Sequence, residues 1–437
     1  MADVPRRVAA VRNARLLHHD GLADVVLGGE RIDAVVPSVT GRLTGRDELD
    51  ADGRVVLPGF VEAHLHLDKA FLGSPGRLGL AEAIAWTAER KAGFTRGDVR
   101  KQAEALLRLA SSHGTTTIRA YADVDPTVGL MPLEVVLELR ERWWGLIDLD
   151  VVAFAQEGIV GRPGTGELLA RAVELGATTV GGCSSSEATV DECKEHVRLV
   201  LDLAAATGVR ADFHADLADD ARDERFALAG YIAKETAARG LEERVTLGHV
   251  TSLASQAPEE RATTLRQLAD AGVGVVTLPI TDLYLAGRAD DRSIRRGVVP
   301  LRELWSAGVA CACASNNVRN AFTPYGNAAP LAVALLCAQL NGLGSRDELD
   351  RVVDLVTTDA ARLLGMTEIA GIGPGALADL VVLDADAPES VLLDQPEPRQ
   401  VVKRGVVVAE RNSVIRQRTP EFAVRQHRGN GPETSVP

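Results

Sequence analysis

The chain of 437 residues lacks the features that mark several specialised classes of protein. Its five cysteines are scattered at positions 183, 193, 311, 313 and 337 and form no CxxC pair of the zinc-binding kind. An odd, scattered set favours reduced thiols and a cytoplasmic location. No apolar run approaches the roughly 20 residues that a membrane-spanning helix needs. The N-terminal segment also lacks the apolar core and cleavage site of a secretory signal.

Basic residues are in the minority. Asp and Glu number 61 against 48 Lys and Arg, so the formal net charge is −13 at pH 7. This surplus of negative charge argues against nucleic acid or an anionic membrane as a partner. Hydrophobic content of 46% and charged content of 25% are ordinary for a folded globular protein. The sequence leaves open whether the protein forms a homo-oligomer.

A strand–loop–helix unit repeats from about residue 58 to residue 367. Each unit joins a short apolar or β-branched run to an amphipathic segment such as GELLARAVELG, with apolar residues spaced i, i+3 and i+4. No glycine-rich phosphate loop follows the first strand, which argues against a doubly wound open sheet. Eight such units predict an α/β fold, a (β/α)8 barrel of the TIM type. The predicted strands cover residues 55–64, 115–123, 149–156, 177–183, 209–214, 245–250, 273–279 and 309–315.

The two ends of the chain have a different pattern, in which glycine interrupts short alternating segments. ARLLHHDGLADVVLGGERIDAVV near the N-terminus and ALADLVVLDAD near the C-terminus are typical of antiparallel strands. We predict that residues 1–57 and 368–417 pair into one small β-sandwich domain. Residues 58–367 then form the barrel, and residues 418–437 form a polar tail.

Histidines cluster where a barrel places its chemistry, at the carboxyl ends of the strands. His64 and His66 are two residues apart on one strand, so both side chains face the same side. His214 and His249 end two later strands. A lone histidine on a strand is more often a core residue, whereas imidazoles from several strands suit zinc or iron. The pattern therefore predicts a metal site at the mouth of the barrel.

The segment LPGFVEAHLHLDK, followed by AWTAERKAGFTRGDVRKQA, resembles the start of the barrel in the amidohydrolase superfamily, in its cytosine-deaminase-like branch. The similarity continues through GTTTIRAYADV, VVAFAQEGI, DFHAD, RVTLGHVTS, LYLAGR, RRG and PYGNA, and it closes with GIGPGALADLVVLDAD. These motifs cover nearly the whole chain in the right order. The resemblance implies a small heterocyclic substrate, a cyclic amide, amidine or nucleobase-like ring, whose C–N bond is hydrolysed by metal-activated water.

The resemblance also implies roles for individual residues. His249 matches a histidine that contacts the activated water or the developing charge, and Gln156 matches a glutamine that binds the heterocycle. The implied ion is one divalent zinc or iron. Its implied ligands are His64, His66, His214 and, at the position of an aspartate, Asn316.

Three acidic positions of the family hold neutral side chains here. Leu217 replaces the glutamate of an HxxE pattern, Asn316 replaces the metal-binding aspartate, and Asn320 replaces a further acid. Tyr121 stands where cytosine deaminases carry a histidine. Three histidines alone can hold zinc, but the loss of proton carriers removes a contribution of roughly 10²–10⁴-fold. We expect Leu217, Tyr121 and Asn317 to line the substrate pocket.

Three residues are candidates for the missing proton transfer. Asp216 lies beside the vacant glutamate position, and His249 ends a neighbouring strand. Lys69, just past the first histidine pair, is a further candidate. A salt bridge at the rim of the barrel is an equally good interpretation of Asp216 and Lys69.

Three functions stay open at this point. The first is C–N bond hydrolysis with relocated proton carriers, which the retention of Gln156 and of four histidines favours. The second is a diverged, non-hydrolytic enzyme on the same barrel, such as a cyclase, eliminase or isomerase, which could work without metal. The third is a catalytically inactive homologue that binds a ligand, although such a protein has no need to keep all four histidines.

Overall fold

The structure, a computed structural model, describes residues 6–39, 45–217, 223–288 and 290–412. The predicted tail, residues 418–437, and residues 413–417 of the predicted small domain lie outside the described residues. Within those residues, no helix combines the length and the apolar character that crossing a membrane requires.

The strands of the described residues fall into two sheets, one at the centre and one built from the two ends of the chain. In chain order they are β1 (Ala10–Leu16), β2 (Leu22–Gly28), β3 (Arg31–Pro37), β4 (Glu48–Asp50), β5 (Val55–Pro58), β6 (Phe60–His66), β7 (Thr115–Asp123), β8 (Asp148–Ala155), β9 (Thr179–Cys183), β10 (Arg210–Ala215), β11 (Val245–His249), β12 (Gly274–Thr277), β13 (Cys311–Cys313), β14 (Leu380–Leu383), β15 (Pro398–Lys403) and β16 (Val406–Glu410).

Strands β6 to β13 form the barrel. They pair in chain order, and every pair is parallel. The backbone of Asn316, just past β13, accepts a hydrogen bond from the N–H of His66 at 2.9 Å and donates one to the carbonyl of His64 at 3.0 Å. These two bonds bring the last strand back to the first. The predicted (β/α)8 barrel is therefore confirmed.

One predicted strand needs correction. Residues 55–64 form two strands, because the chain changes sheet at Gly59 between β5 and β6. A Cβ atom at Gly59 would lie 2.2 Å from Oγ1 of Thr116, so only glycine fits this close approach. Because residues 55–64 form a continuous apolar run, the sequence pattern gave no sign of the break at Gly59.

Helices connect the barrel strands and cover the outside of the barrel. Three of them begin with a capping box, in which the hydroxyl of Thr95, Thr189 or Ser345 accepts from the backbone N–H three residues later. In chain order the helices are α1 (Leu80–Lys91), α2 (Arg96–Ser112), α3 (Met131–Trp143), α4 (Thr165–Glu174), α5 (Val190–Thr207), α6 (Ala229–Ala238), α7 (Pro258–Asp270), α8 (Pro279–Leu285), α9 (Leu301–Ala307), α10 (Pro330–Leu340), α11 (Arg346–Asp354), α12 (Thr358–Leu363) and α13 (Ser390–Asp394).

The N- and C-terminal strands form the second sheet, in the order β16-β15-β14-β5-β1-β2-β3, with β4 paired to β1. The predicted association of the two ends is confirmed, and the strands make one continuous, mostly antiparallel sheet around a separate apolar core. Lys403 links this sheet to the barrel, because its buried Nζ donates to Asp379 and to Asp148, each at 2.6 Å.

Candidate active site

Three imidazoles converge at the carboxyl ends of β6 and β10. Nε2 of His214 lies 2.8 Å from Nε2 of His64 and 3.3 Å from Nε2 of His66. Burial lowers the pKa of each ring well below its ordinary value, so the rings are neutral at pH 7. Neutral imidazole is the form that binds a metal. The three ligand atoms lie within 4.8 Å of one another and could hold one divalent ion.

Aromatic packing holds the imidazoles in place. Tyr121 is fully buried and stacks on His64, with ring centroids 3.9 Å apart. Phe154 packs against His214 at 4.4 Å. Among the described residues, Nδ1 of His64 has no hydrogen-bond partner, so contact between rings sets its orientation. Gly248 leaves the necessary space, because a Cβ atom there would lie 3.0 Å from Cε1 of His64.

Asn316 carries an unsatisfied amide. Its side-chain oxygen and nitrogen are both buried and have no hydrogen-bond partner within the described part of the chain. An unsatisfied buried polar group costs about 1–3 kcal/mol. The side chain therefore has free hydrogen-bonding capacity, and its oxygen could also bind a divalent cation. The three neutral imidazoles form a set of donors that fits a metal, and the backbone of Asn316 is bonded to the strand that carries two of them.

Glu62, a residue that the sequence analysis missed, fixes the chain end that carries Asn316. The buried Glu62 carboxylate accepts from the backbone N–H of Ser315 at 2.9 Å and from its hydroxyl at 2.5 Å. Burial raises the pKa of Glu62 to about 7. Its place on β6, two residues before His64, was the only available signal.

Backbone strain is concentrated at three strand ends of the site. The left-handed region of φ is rarely adopted by residues other than glycine. Three residues of the site lie in it, with φ values of 54° at Asp216, 76° at His249 and 60° at Asn316. Such conformations cost about 1–3 kcal/mol each and cluster at functional sites. The coincidence of strain with three candidate residues favours a functional role for this end of the barrel.

His249 has a carboxylate partner that the sequence analysis also missed. Its Nδ1 lies 2.6 Å from Oδ1 of Asp282, in the first turn of α8, and both side chains are buried. The His249 ring is also 4.9 Å from the ring of His214. Burial raises the pKa of Asp282. An acid one turn into the helix that follows β12 was the sequence signal for this pair.

Asp216 faces a helix. The backbone N–H groups of Leu228 and Ala229 donate to its two carboxylate oxygens at 2.8 and 2.9 Å, at the start of α6. Burial raises the pKa of Asp216 to about 6. The carboxylate therefore satisfies backbone donors at a helix N-terminus.

Lys69 lies in a buried ionic network beside Gln156. Its Nζ donates to Asp123 at 2.8 Å and to Oε1 of Gln156 at 3.2 Å. Lys91, from the end of α1, donates to the other Asp123 oxygen at 2.9 Å and also pairs with Glu157 at 2.6 Å. Lys69 thus forms a salt bridge, and that salt bridge is buried.

The neutral replacements are found in different surroundings. Leu217 is half-buried and packs against an apolar cluster that includes Ala83 of α1 and Phe322. Asn317 accepts from Nδ2 of Asn320 at 2.7 Å. Asn320 in turn accepts from the backbone of the loop that follows it. Leu217 thus lies in an apolar wall and the two asparagines in a polar loop.

Comparison with known proteins agrees with this geometry. A sequence model of the amidohydrolase family matches residues 79–409. The 5-methylcytosine deaminase of Klebsiella pneumoniae, solved with 5-fluorocytosine, superposes with a TM-score of 0.89 at 30% identity, covering 94% of this chain and 100% of that one. The pterin deaminase of Rhizobium rhizogenes is 32% identical over 88% of this chain and 87% of its own length. The N-isopropylammelide isopropyl amidohydrolase of Pseudomonas sp. strain ADP is 28% identical over 93% of this chain and 98% of its own length. The chain belongs to the amidohydrolase family, in its cytosine-deaminase-like branch.

Proposed function

We propose that the protein hydrolyses a C–N bond of a small cyclic amide, amidine or nucleobase-like heterocycle. The convergence of three neutral imidazoles from separate strands, with His249 beside them, carries the proposal. The relatives support it, because their names describe deamination or amidohydrolysis of ring compounds.

His64, His66 and His214 are the proposed metal ligands, and the orphaned amide of Asn316 is the proposed fourth. A bound zinc or iron ion supplies Lewis acidity toward water and the substrate. Because an amide oxygen carries no formal charge, we expect weaker metal binding than an aspartate would give. The protein must keep these rings neutral and correctly oriented. Burial keeps them neutral, and the stacked Tyr121 orients His64.

His249 and Asp282 are the proposed proton carriers in place of the missing acids. A proton held between Nδ1 of His249 and Oδ1 of Asp282 leaves the lone pair of Nε2 free to accept a second proton. The same imidazole can return that proton to the leaving nitrogen. Asp216 was expected to transfer protons, but it caps α6, so we assign it a positioning role. Tyr121 was expected to bind the substrate, but it supports His64, so we assign it a positioning role as well.

Gln156 is the proposed residue that binds the ring, and Lys69 fixes which atom of the amide faces it. An ammonium group has three donors and no acceptor, so the amide atom 3.2 Å from Lys69 is the oxygen. The amide nitrogen is then left to donate toward the substrate. A carbonyl oxygen or an unprotonated ring nitrogen is the matching group. Leu217 and Asn317 are proposed to complete the pocket wall.

This orientation predicts the effect of Gln156→Glu. The new carboxylate keeps the contact with Lys69 but offers only acceptors, so we expect kcat/KM to fall by about 10–100-fold, the size of one lost hydrogen bond plus repulsion. Gln156→Met serves as the matched control, because it loses the donor without adding an acceptor, and its fall should be smaller. Steady-state kinetics on one substrate measures both variants. Activity of Gln156→Glu close to that of the parent would show that the amide oxygen faces the substrate.

Metal content tests the proposal as a whole. We expect the purified protein to hold about one equivalent of zinc or iron and to release ammonia or an amine from members of a panel of cyclic amidines and lactams. His214→Ala should lose both the metal and the activity, while His196→Ala, a buried histidine on α5, should keep the metal. Turnover by metal-free protein would favour a non-hydrolytic enzyme, and tight binding without turnover would favour an inactive homologue. Either result contradicts the proposal.

A further inference from the structure

Three arginines line one open pocket at the same end of the barrel as the histidines. The pocket has a volume of about 910 Å³ and is bounded by the loops after β6 and β13 and by α8 with its following loop. Arg77, Arg288 and Arg296 line it together with Tyr284 and Tyr325. No acidic side chain of the described residues lines it. In a chain with a net charge of −13, such a concentration of positive charge is unexpected.

The guanidinium groups have no close carboxylate partner among the described residues, although Asp290 lies within electrostatic range of Arg296. None of Arg77, Arg288 and Arg296 forms an ion pair with an acid in the described parts of the chain. Asp290, on the same loop, pairs with Arg295 at 2.8 Å. Nε and Nη2 of Arg288 are buried and have no hydrogen-bond partner among described residues. Because guanidinium groups bind carboxylate and phosphate in a forked geometry, these free donors indicate an anionic ligand.

Aromatic and apolar side chains complete the pocket. The guanidinium of Arg288 stacks on Tyr284, 4.4 Å from the ring centroid, and Tyr284 meets Tyr325 edge to face at 5.9 Å. Tyr325 is 62% exposed and Ile294 is 43% exposed, so both side chains are accessible to a ligand. The pocket therefore offers planar and apolar contacts beside its charge, a combination that suits an organic anion.

The pocket is joined to the candidate active site by α8. Tyr284 belongs to the apolar cluster that contains Leu217. Asp282, two residues earlier on the same helix, holds His249. The hydroxyls of Thr281 and Thr323, 2.5 Å apart, connect α8 to the loop that carries Tyr325. The arginine pocket and the candidate active site therefore share α8 and the cluster that contains Leu217.

We propose that this arginine pocket binds a carboxylate or phosphate group at the outer end of the substrate. The claim that the anion belongs to a substrate rests on the proposed function. The claim that the pocket binds an anion depends only on the arginines. It narrows the substrate class to heterocycles that bear an anionic substituent.

Binding of small probes tests the site without any assumption about activity. We expect the parent protein to bind benzoate more tightly than benzamide, its neutral counterpart, in isothermal titration calorimetry. Arg288→Gln should weaken benzoate binding by about tenfold or more, the loss of one charge-assisted hydrogen bond, and leave benzamide unchanged. Arg292→Gln is the matched control, because Arg292 lies on the same loop, is 92% exposed and does not line the pocket. Equal benzoate affinity in the two variants would overturn the proposal.

Three further measurements complete the test. Arg296→Gln, at an exposed position, should reproduce the effect if Arg288→Gln fails to fold. Competition by inorganic phosphate against benzoate decides which anion the pocket prefers. With a heterocycle that the enzyme turns over, its carboxylate derivative should have the higher kcat/KM, and Arg288→Gln should remove that advantage. Arginine-dependent binding without turnover would refute the proposed hydrolysis alone, whereas turnover without any preference for the anion would refute this inference alone.

Discussion

Replacing Leu217 by glutamate and Asn316 by aspartate in one protein should raise the rate of C–N bond hydrolysis by about 10²–10⁴-fold, the contribution of a well-placed general acid–base group. The two changes act on different parts of the reaction. Aspartate at 316, the position of the proposed fourth ligand, adds a charged oxygen and should raise metal affinity. Glutamate at 217 adds a proton carrier that follows His214 by three residues, as in the family pattern.

The surroundings of Leu217 help the introduced acid. Leu217 is half-buried against the apolar cluster around Ala83 and Phe322. Burial raises the pKa of a carboxyl group, which brings a glutamate there closer to the working pH of a general acid. The same burial makes the substitution costly for folding. The thermal midpoint of each variant should therefore be measured beside its activity.

Matched variants separate the two effects. Asn316→Asp alone should raise metal content and change the rate much less than the pair does. Leu217→Gln with Asn316→Asp has nearly the same shape as the proposed pair but no group at 217 that can transfer a proton, so it should gain little. Ammonia release per metal ion is the quantity to compare. A folded, metal-loaded double variant without a gain would show that the pocket itself has been remodelled for another reaction.

Secondary structure and the histidine group were predictable because both follow from periodicity. β-Branched runs such as TTTIRAYAD are buried along their whole length in β7, as a parallel barrel strand requires. His64 and His66 share a face because strand side chains alternate. His214 joins them because parallel strands end at one edge of the barrel. These are local rules, and they needed no knowledge of tertiary contacts.

The partners of the site residues were not predictable, because local rules say nothing about contacts between distant parts of the chain. Asp282 and Glu62 act on His249 and Ser315, which are distant in sequence, so no local pattern connects them. The direction of the Asp216 side chain could not be derived from strand alternation, because its φ of 54° interrupts that alternation. Side chains alternate between the two faces only as far as the last extended residue of a strand. The candidate site lies at the strand ends, where this alternation stops.

Substitution of His249 by glutamine should lower kcat by about 10²–10⁴-fold and leave the metal content unchanged, because this imidazole is the proposed proton carrier and not a proposed ligand. Asp282→Asn should cause a smaller fall. An asparagine keeps the shape of the partner but does not stabilise the protonated imidazole, so proton transfer should weaken while the ring stays in place.

A readout other than rate is needed for Asp282, since its proposed role is to position His249 through a hydrogen bond and not to touch the substrate. We expect Asp282→Asn to move the pH profile of kcat, because the variant removes a buried carboxyl group of raised pKa that contacts His249. His196→Gln provides the matched control. Nδ1 of His196 lies 2.8 Å from a Glu187 oxygen, so the variant breaks a second buried histidine–carboxylate pair outside the proposed catalytic group. It should lower the thermal midpoint and keep the pH profile.

The decisive comparison is between the two histidines. If both variants lose stability but only His249→Gln loses turnover, the His249–Asp282 pair carries the protons that the family's glutamate and aspartate carry elsewhere. If His249→Gln retains the parent rate at full metal occupancy, proton transfer must come from solvent or from the substrate itself. The same fully buried pair, 2.6 Å from nitrogen to oxygen, would then serve only to hold α8 against β11.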